Sequence, residues 1–285
     1  MGRRMKQPFP ALHAFAALAL LSLAVGCEGL SPGRAPSTPL PDGSTYLLHL
    51  PGIAGDTAFD RWWMNALADR GVADRAELYD WTCNDPGIPA LQAHRRNHGE
   101  AVRVCNLIRT QRTADPTGRF ILTAESGGTG VAVWALEHLP ADVLVDEVVL
   151  VAPAISPDYD LTAALRHVRG RMVYTSSGGD WFVLGVGTTV FGTMDGKNTD
   201  AAGFVGFYPP KIADPDQYAK LIELKYDSDW IKWGDFGTHT GGMSPEFARH
   251  VLAPMLLREM QAETRQPTEA RVQLTGYAAA DVGSK

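Results

Sequence analysis

The sequence predicts a layered α/β domain built on a mainly parallel six-stranded sheet with helices on both faces. Two observations carry that prediction. Short runs rich in β-branched and aliphatic residues alternate with helical segments, an order that demands crossover connections and therefore parallel pairing. The 285 residues, 45% hydrophobic and 20% charged, suffice for a sizeable core, and neither a fixed-period repeat nor a compositional break marks a second domain. The same composition excludes a disordered chain, a collagen-like repeat and a small disulfide-stapled scaffold.

Taken in order, the first strand is TYLLHL at 45–50, which runs into a Pro-Gly turn and a helix at 57–70. A second strand follows at 76–81 (AELYDW), then a helix at 98–112, where Ala101, Val104, Cys105 and Ile108 share one face. The third strand, RFILT at 119–123, leads through a small-residue turn into a helix at 128–138. Strands at 147–152 (EVVLVA), 171–175 (RMVYT) and 221–226 (LIELKY) complete the sheet, with helices at 161–168 and 245–260. The stretch 178–218 carries eight glycines and Pro209-Pro210 without a clear period. An insertion of that length inside a compact domain is often functional and is expected to hold short helical turns.

Both ends of the chain read differently from the core. Residues 1–26 place Arg3, Arg4 and Lys6 ahead of an apolar run from 11 to 25, the layout of a removable export signal. That run is shorter than the ~20 apolar residues a bilayer span needs. Ala24-Val25-Gly26-Cys27 resembles the bacterial lipobox, which implies lipid attachment at Cys27 and an outer-membrane address from Glu28; Ala24 departs from the usual Leu. Residues 27–44 are rich in Pro, Gly and Ser and read as a tether, 45–260 as the folded domain, and 261–285 as a loose tail. Losing the signal removes three positive charges and no acid, so the formal charge of −6 falls to about −9 in the exported form. An acidic protein lacks the footprint of a phosphate-backbone binder, which excludes nucleic acid as the expected partner. Export also permits a Cys83–Cys105 disulfide, although the helical face around Cys105 equally fits a buried thiol.

Chemistry concentrates in RFILTAESGGTGVAVW, residues 119–134. A strand ends, small residues surround Ser126, and a helix begins. A serine on such a tight turn exposes its hydroxyl, and the helix N-terminus offers unpaired N–H groups where an oxyanion would form. This pattern resembles the nucleophile elbow of the α/β-hydrolase family. The chain departs from it at Ala124, where Gly is commoner, and at Glu125, where His, Asp or Tyr is commoner. The resemblance spans about 45–260 and implies a minimal six-stranded α/β-hydrolase fold without a large lid.

It also implies a nucleophile, an acid and a histidine in that chain order. Ser126 would attack, and His239, in the loop GDFGTHTGG after the last strand, would take its proton. Asp180, four residues beyond Ser176 in the loop after the fifth strand, heads the candidates for the acid. Asp158, Asp160, Asp195, Asp229 and Asp235 stay open as alternatives. The turn after the first strand would supply Ile53 N–H, and the elbow Gly127 N–H, as the oxyanion hole. His49 reads as support for that turn, His250 as a packed or surface residue, and His94 and His98 as solvated on a loop. The Trp62-Trp63 pair reads as core more than as a substrate mouth.

No cofactor is called for. Gly185-Val186-Gly187 lacks the dinucleotide context, no Gly-Lys-Ser/Thr closes a glycine loop, and no Cys/His cluster has zinc spacing. The expectation is an exported serine hydrolase of small neutral or hydrophobic carboxylic esters on the periplasmic face of the outer membrane. An acyltransferase using the same triad, or a surface-anchored binding protein without turnover, are the alternatives.

Overall fold

The computed structural model describes residues 41–179 and 192–265. The signal, Cys27, most of the tether, Asp180, the 185–187 glycines and the tail from 266 lie outside the described residues.

Six parallel strands form the sheet: β1 (Thr45–Leu50), β2 (Arg75–Leu78), β3 (Arg119–Glu125), β4 (Glu147–Val151), β5 (Met172–Ser176) and β6 (Leu221–Lys225), in the order β2-β1-β3-β4-β5-β6. Every pairing is parallel, so the mainly parallel expectation holds without exception. The central strands β1, β4 and β5 are buried along their whole length, whereas β2 and β6 at the edges are only partly covered. That gradient is why TYLLHL and EVVLVA are continuous apolar runs while β6 alternates with Glu223 and Lys225.

Helices cover the sheet through crossovers. The first is α1 (Ala58–Asp69), opened by a capping box in which Thr57 accepts from Asp60 N–H and Asp60 accepts from Thr57 N–H. After β2 come α2 (Ile88–Gln92) and α3 (His94–Ala114). The long helix therefore starts at His94, not 98, and His94 and His98 are helical rather than on a loop. Its first turn, HRRN, gives no apolar period, but Asn97 is buried and donates to Ala90 O at 2.7 Å. His94 meets Met194 O, and the His98 ring stacks on Trp134. After β3, α4 (Gly128–Glu137) packs on α3 and on α5 (Thr162–Leu165), forming one layer. The other layer sets α1 against the last helical segment.

That last segment is not one regular helix. It runs through Pro245–Phe247, a π turn at Ala248–Leu252, and then Ala253–Arg265. Pro254 lacks an N–H and its ring would crowd the carbonyl four residues back, so a widened turn just before it accommodates the ring. The helix also extends past 260, where the tail was expected to begin. In the Gly-rich insertion, the described part contains the expected short turns: α6 (Ala202–Val205) and α7 (Pro215–Tyr218). Cys83 and Cys105 are free, with Cys83 exposed and Cys105 buried, so no disulfide joins them.

Candidate active site

The sheet order places the site. Chain connectivity reverses at β1, which has β2 on one side and β3 on the other. Parallel α/β sheets open a crevice at such a switch, beyond the strand C-termini. The two segments leaving that crevice are Pro51-Gly52-Ile53 after β1 and Ser126 after β3.

Ser126 has φ of 49°, a left-handed conformation that a non-glycine residue adopts at a cost of roughly 1–2 kcal/mol. The surroundings enforce it. Ser126 N–H donates to Val151 O at 2.8 Å, and its carbonyl accepts from Thr129 N–H at 3.1 Å and from the Thr129 hydroxyl. Gly128 lets α4 begin directly against the end of β1, since a Cβ there would sit 2.4 Å from Pro51 O and 2.7 Å from Leu50 O. The hydroxyl faces His239, with Nε2 2.9 Å from Ser126 Oγ across 113 residues of sequence.

His239 sits on a loop held from three directions. Within the loop, Asp235 accepts Gly237 N–H at 2.8 Å. From the loop after β5, the Ser177 hydroxyl donates to Gly237 O at 2.6 Å. From α1, the buried Trp63 indole donates to Gly242 O at 3.0 Å. Trp63 is thus core, as expected, whereas its neighbour Trp62 is exposed edge-on to Phe59. A shallow cleft beside His239 is lined by Ala152, Thr175, Ser177, Tyr226 and Asp235.

Asp180 is outside the described residues. The chain preceding it reaches Gly179, where a Cβ would lie 2.4 Å from Gly237 O, two residues before His239. Most of the alternative acids have other partners or roles. Asp158 pairs with Lys197 at 2.7 Å, Asp160 accepts Thr162 N–H, and Asp195 accepts from Ser156 and Thr193. Asp229 is exposed in the turn Ser228–Trp233. Asp235 is buried, which raises its carboxyl above the usual range, and it shapes the histidine loop through Gly237.

Ile53 and Gly127 lie side by side, since a Cβ on Gly127 would be 2.6 Å from Ile53 Cγ2. Among the described residues neither N–H has a protein acceptor. Gly52 N–H, by contrast, donates to Glu125 Oε2 at 2.9 Å. Burial raises the Glu125 carboxyl, opposed by the charge of His239, reinforced by Asp60, and opposed again by His49 and the Gly52 N–H. His49 is fully buried between Thr123 Oγ1 (2.9 Å) and Asp60 Oδ1 (3.0 Å), which ties β1, β3 and the start of α1 together beneath the turn. His250 stacks on Trp233 with ring centroids 3.8 Å apart. Among the described residues no cluster of His, Cys, Asp or Glu could hold a metal ion, and no helix is long and apolar enough to cross a membrane.

Strand order, strained serine and adjoining helix N-terminus define an α/β-hydrolase architecture. Among solved structures, the chain is similar to Aspergillus fumigatus lipase B at 14% identity, over 75% of this chain and 52% of that one, with a TM-score of 0.46. It is similar to an acetylxylan esterase at 10% identity, over 78% and 99%, with a TM-score of 0.45. A third likeness is Trichoderma reesei cutinase in complex with a phosphonate inhibitor, at 16% identity, over 77% of each chain, with a TM-score of 0.38. The chain spans about half the length of the lipase. No protein-family model matches the chain, and no curated protein matches it.

Proposed function

We propose that the protein is an exported serine hydrolase of carboxylic esters, with Ser126 as nucleophile, His239 as general base and Asp180 as the acid that orients His239. The observation that carries this reading is the 2.9 Å contact between His239 Nε2 and the hydroxyl of a serine held at φ 49°. A serine hydroxyl is a weak nucleophile until a base accepts its proton, and this contact supplies the base. Ser126 Oγ attacks the ester carbonyl carbon while its proton passes to His239. The carbonyl oxygen becomes an oxyanion, received by Ile53 and Gly127 N–H at the positive end of α4. His239 then returns the proton to the departing alcohol, and water activated by the same imidazole releases the acid. Gly179 packing against Gly237 supports Asp180 as the third member. Lipid attachment at Cys27 belongs to the same proposal and rests on the sequence.

The test is turnover of p-nitrophenyl esters and labelling by a fluorophosphonate probe. Wild type should do both and Ser126→Ala neither, with its fold intact by circular dichroism. Labelling retained in Ser126→Ala would remove that residue as the nucleophile. A folded wild type that never labels would favour a binding protein on this scaffold.

A further inference from the structure

The turn that offers Ile53 N–H is fixed peptide by peptide. In the Pro51–Gly52 peptide, the carbonyl accepts from the Trp81 indole at 2.7 Å and the N–H donates to Glu125 Oε2 at 2.9 Å. In the next peptide, Gly52 O accepts Gly55 N–H at 3.1 Å. A trans peptide points its carbonyl and its N–H in opposite directions, so holding Gly52 O sets the direction of Ile53 N–H. Only a glycine permits this approach, since a Cβ on residue 52 would be 2.6 Å from Glu125 Oε2. Glu125 directly precedes Ser126, so one side chain joins the nucleophile's strand to the opposite wall of the oxyanion hole.

We propose that Glu125 is a positioning residue, holding the Pro51-Gly52-Ile53 turn in its oxyanion-binding form through the Gly52 N–H. The inference rests on the reading of Ser126 and His239 given above. Glutamine at this position keeps an oxygen acceptor for Gly52 N–H, whereas alanine removes it.

The experiment compares wild type, Glu125→Gln and Glu125→Ala by NMR of the Gly52 amide, alongside ester kinetics. Glu125→Ala should shift the Gly52 amide away from its hydrogen-bonded position and lower kcat about 10–100-fold with little change in KM, part of the ~10²–10³ an oxyanion donor supplies. Glu125→Gln should keep the Gly52 amide near its wild-type position and recover most of the kcat that alanine loses. A Gly52 amide unmoved in Glu125→Ala overturns the proposal, and so does a Glu125→Gln enzyme that loses as much kcat as alanine with its Gly52 amide in place. Should Glu125→Ala not fold, Glu125→Met, which fills the space and offers Gly52 no oxygen, takes its place in the same comparison. The NMR readout is independent of turnover, so a wild type without esterase activity would sink the hydrolase reading while the hold of Glu125 on the turn is still judged.

Discussion

Gly128 and Asp60, two residues outside the proposed triad, show how closely the candidate site depends on its supports. A methyl group on Gly128 would meet main-chain oxygens of Leu50 and Pro51, which cannot swing aside as a side-chain end can. Gly128→Ala must push α4 away from β1, at an overpacking cost of about 1–3 kcal/mol. The same displacement separates Gly127 from Ile53. Turnover should fall more than the loss of stability accounts for, a split read by comparing kcat with the urea midpoint; equal stability and full activity would show that the contact is not limiting. Asp60 makes a different kind of prediction. Burial pushes its carboxyl up, but hydrogen bonds from His49 and Thr57 outweigh this and hold it below the ordinary aspartate value. A carboxylate depressed in the folded state adds stability above its unfolded pKa near 4 and loses it as pH falls through the lower folded value. Asp60→Asn should therefore cost about 1–3 kcal/mol at neutral pH. Its stability should also vary less with pH below about 4, which urea titrations across that range would register.

At the scale of elements, what the sequence discloses depends on how local the determining forces are. β1 is legible to the residue because TYLLHL lies buried on both faces and ends at a Pro-Gly turn. The elbow is legible because small residues, a serine and a helix start are contiguous. β3 nevertheless runs on to Glu125, beyond its apolar stretch, because pairing with Val151 in β4 continues where composition changes. The helices Ile88–Gln92, Ala202–Val205 and Pro215–Tyr218 are too short to show a 3.6-residue period. The π turn before Pro254 reflects a clash between backbone atoms, which no pattern of hydrophobicity records. Glu125 was visible only as a departure from the commoner elbow residues. Its partner Gly52 is 73 residues away, so its role emerges only when β1 and β3 pair.

For the whole molecule, the sheet sets the start of the described chain and the candidate site at opposite ends. The chain enters at Ser44 and Thr45, on the N-terminal edge of β1, while Ser126 and His239 meet at the C-terminal edge. In the proposed exported form, a lipid attached at Cys27 would anchor the protein to a membrane. Each buried CH₂ of an attached acyl chain adds about 0.8 kcal/mol of membrane affinity. An acidic protein gains nothing from anionic headgroups, so in that proposal the lipid alone carries the attachment. Expressed with its own signal in a bacterial envelope, the wild type should enter the detergent phase on Triton X-114 partitioning. Cys27→Ala should leave it in the aqueous phase. Equal partitioning of the two proteins would remove Cys27 as the anchor.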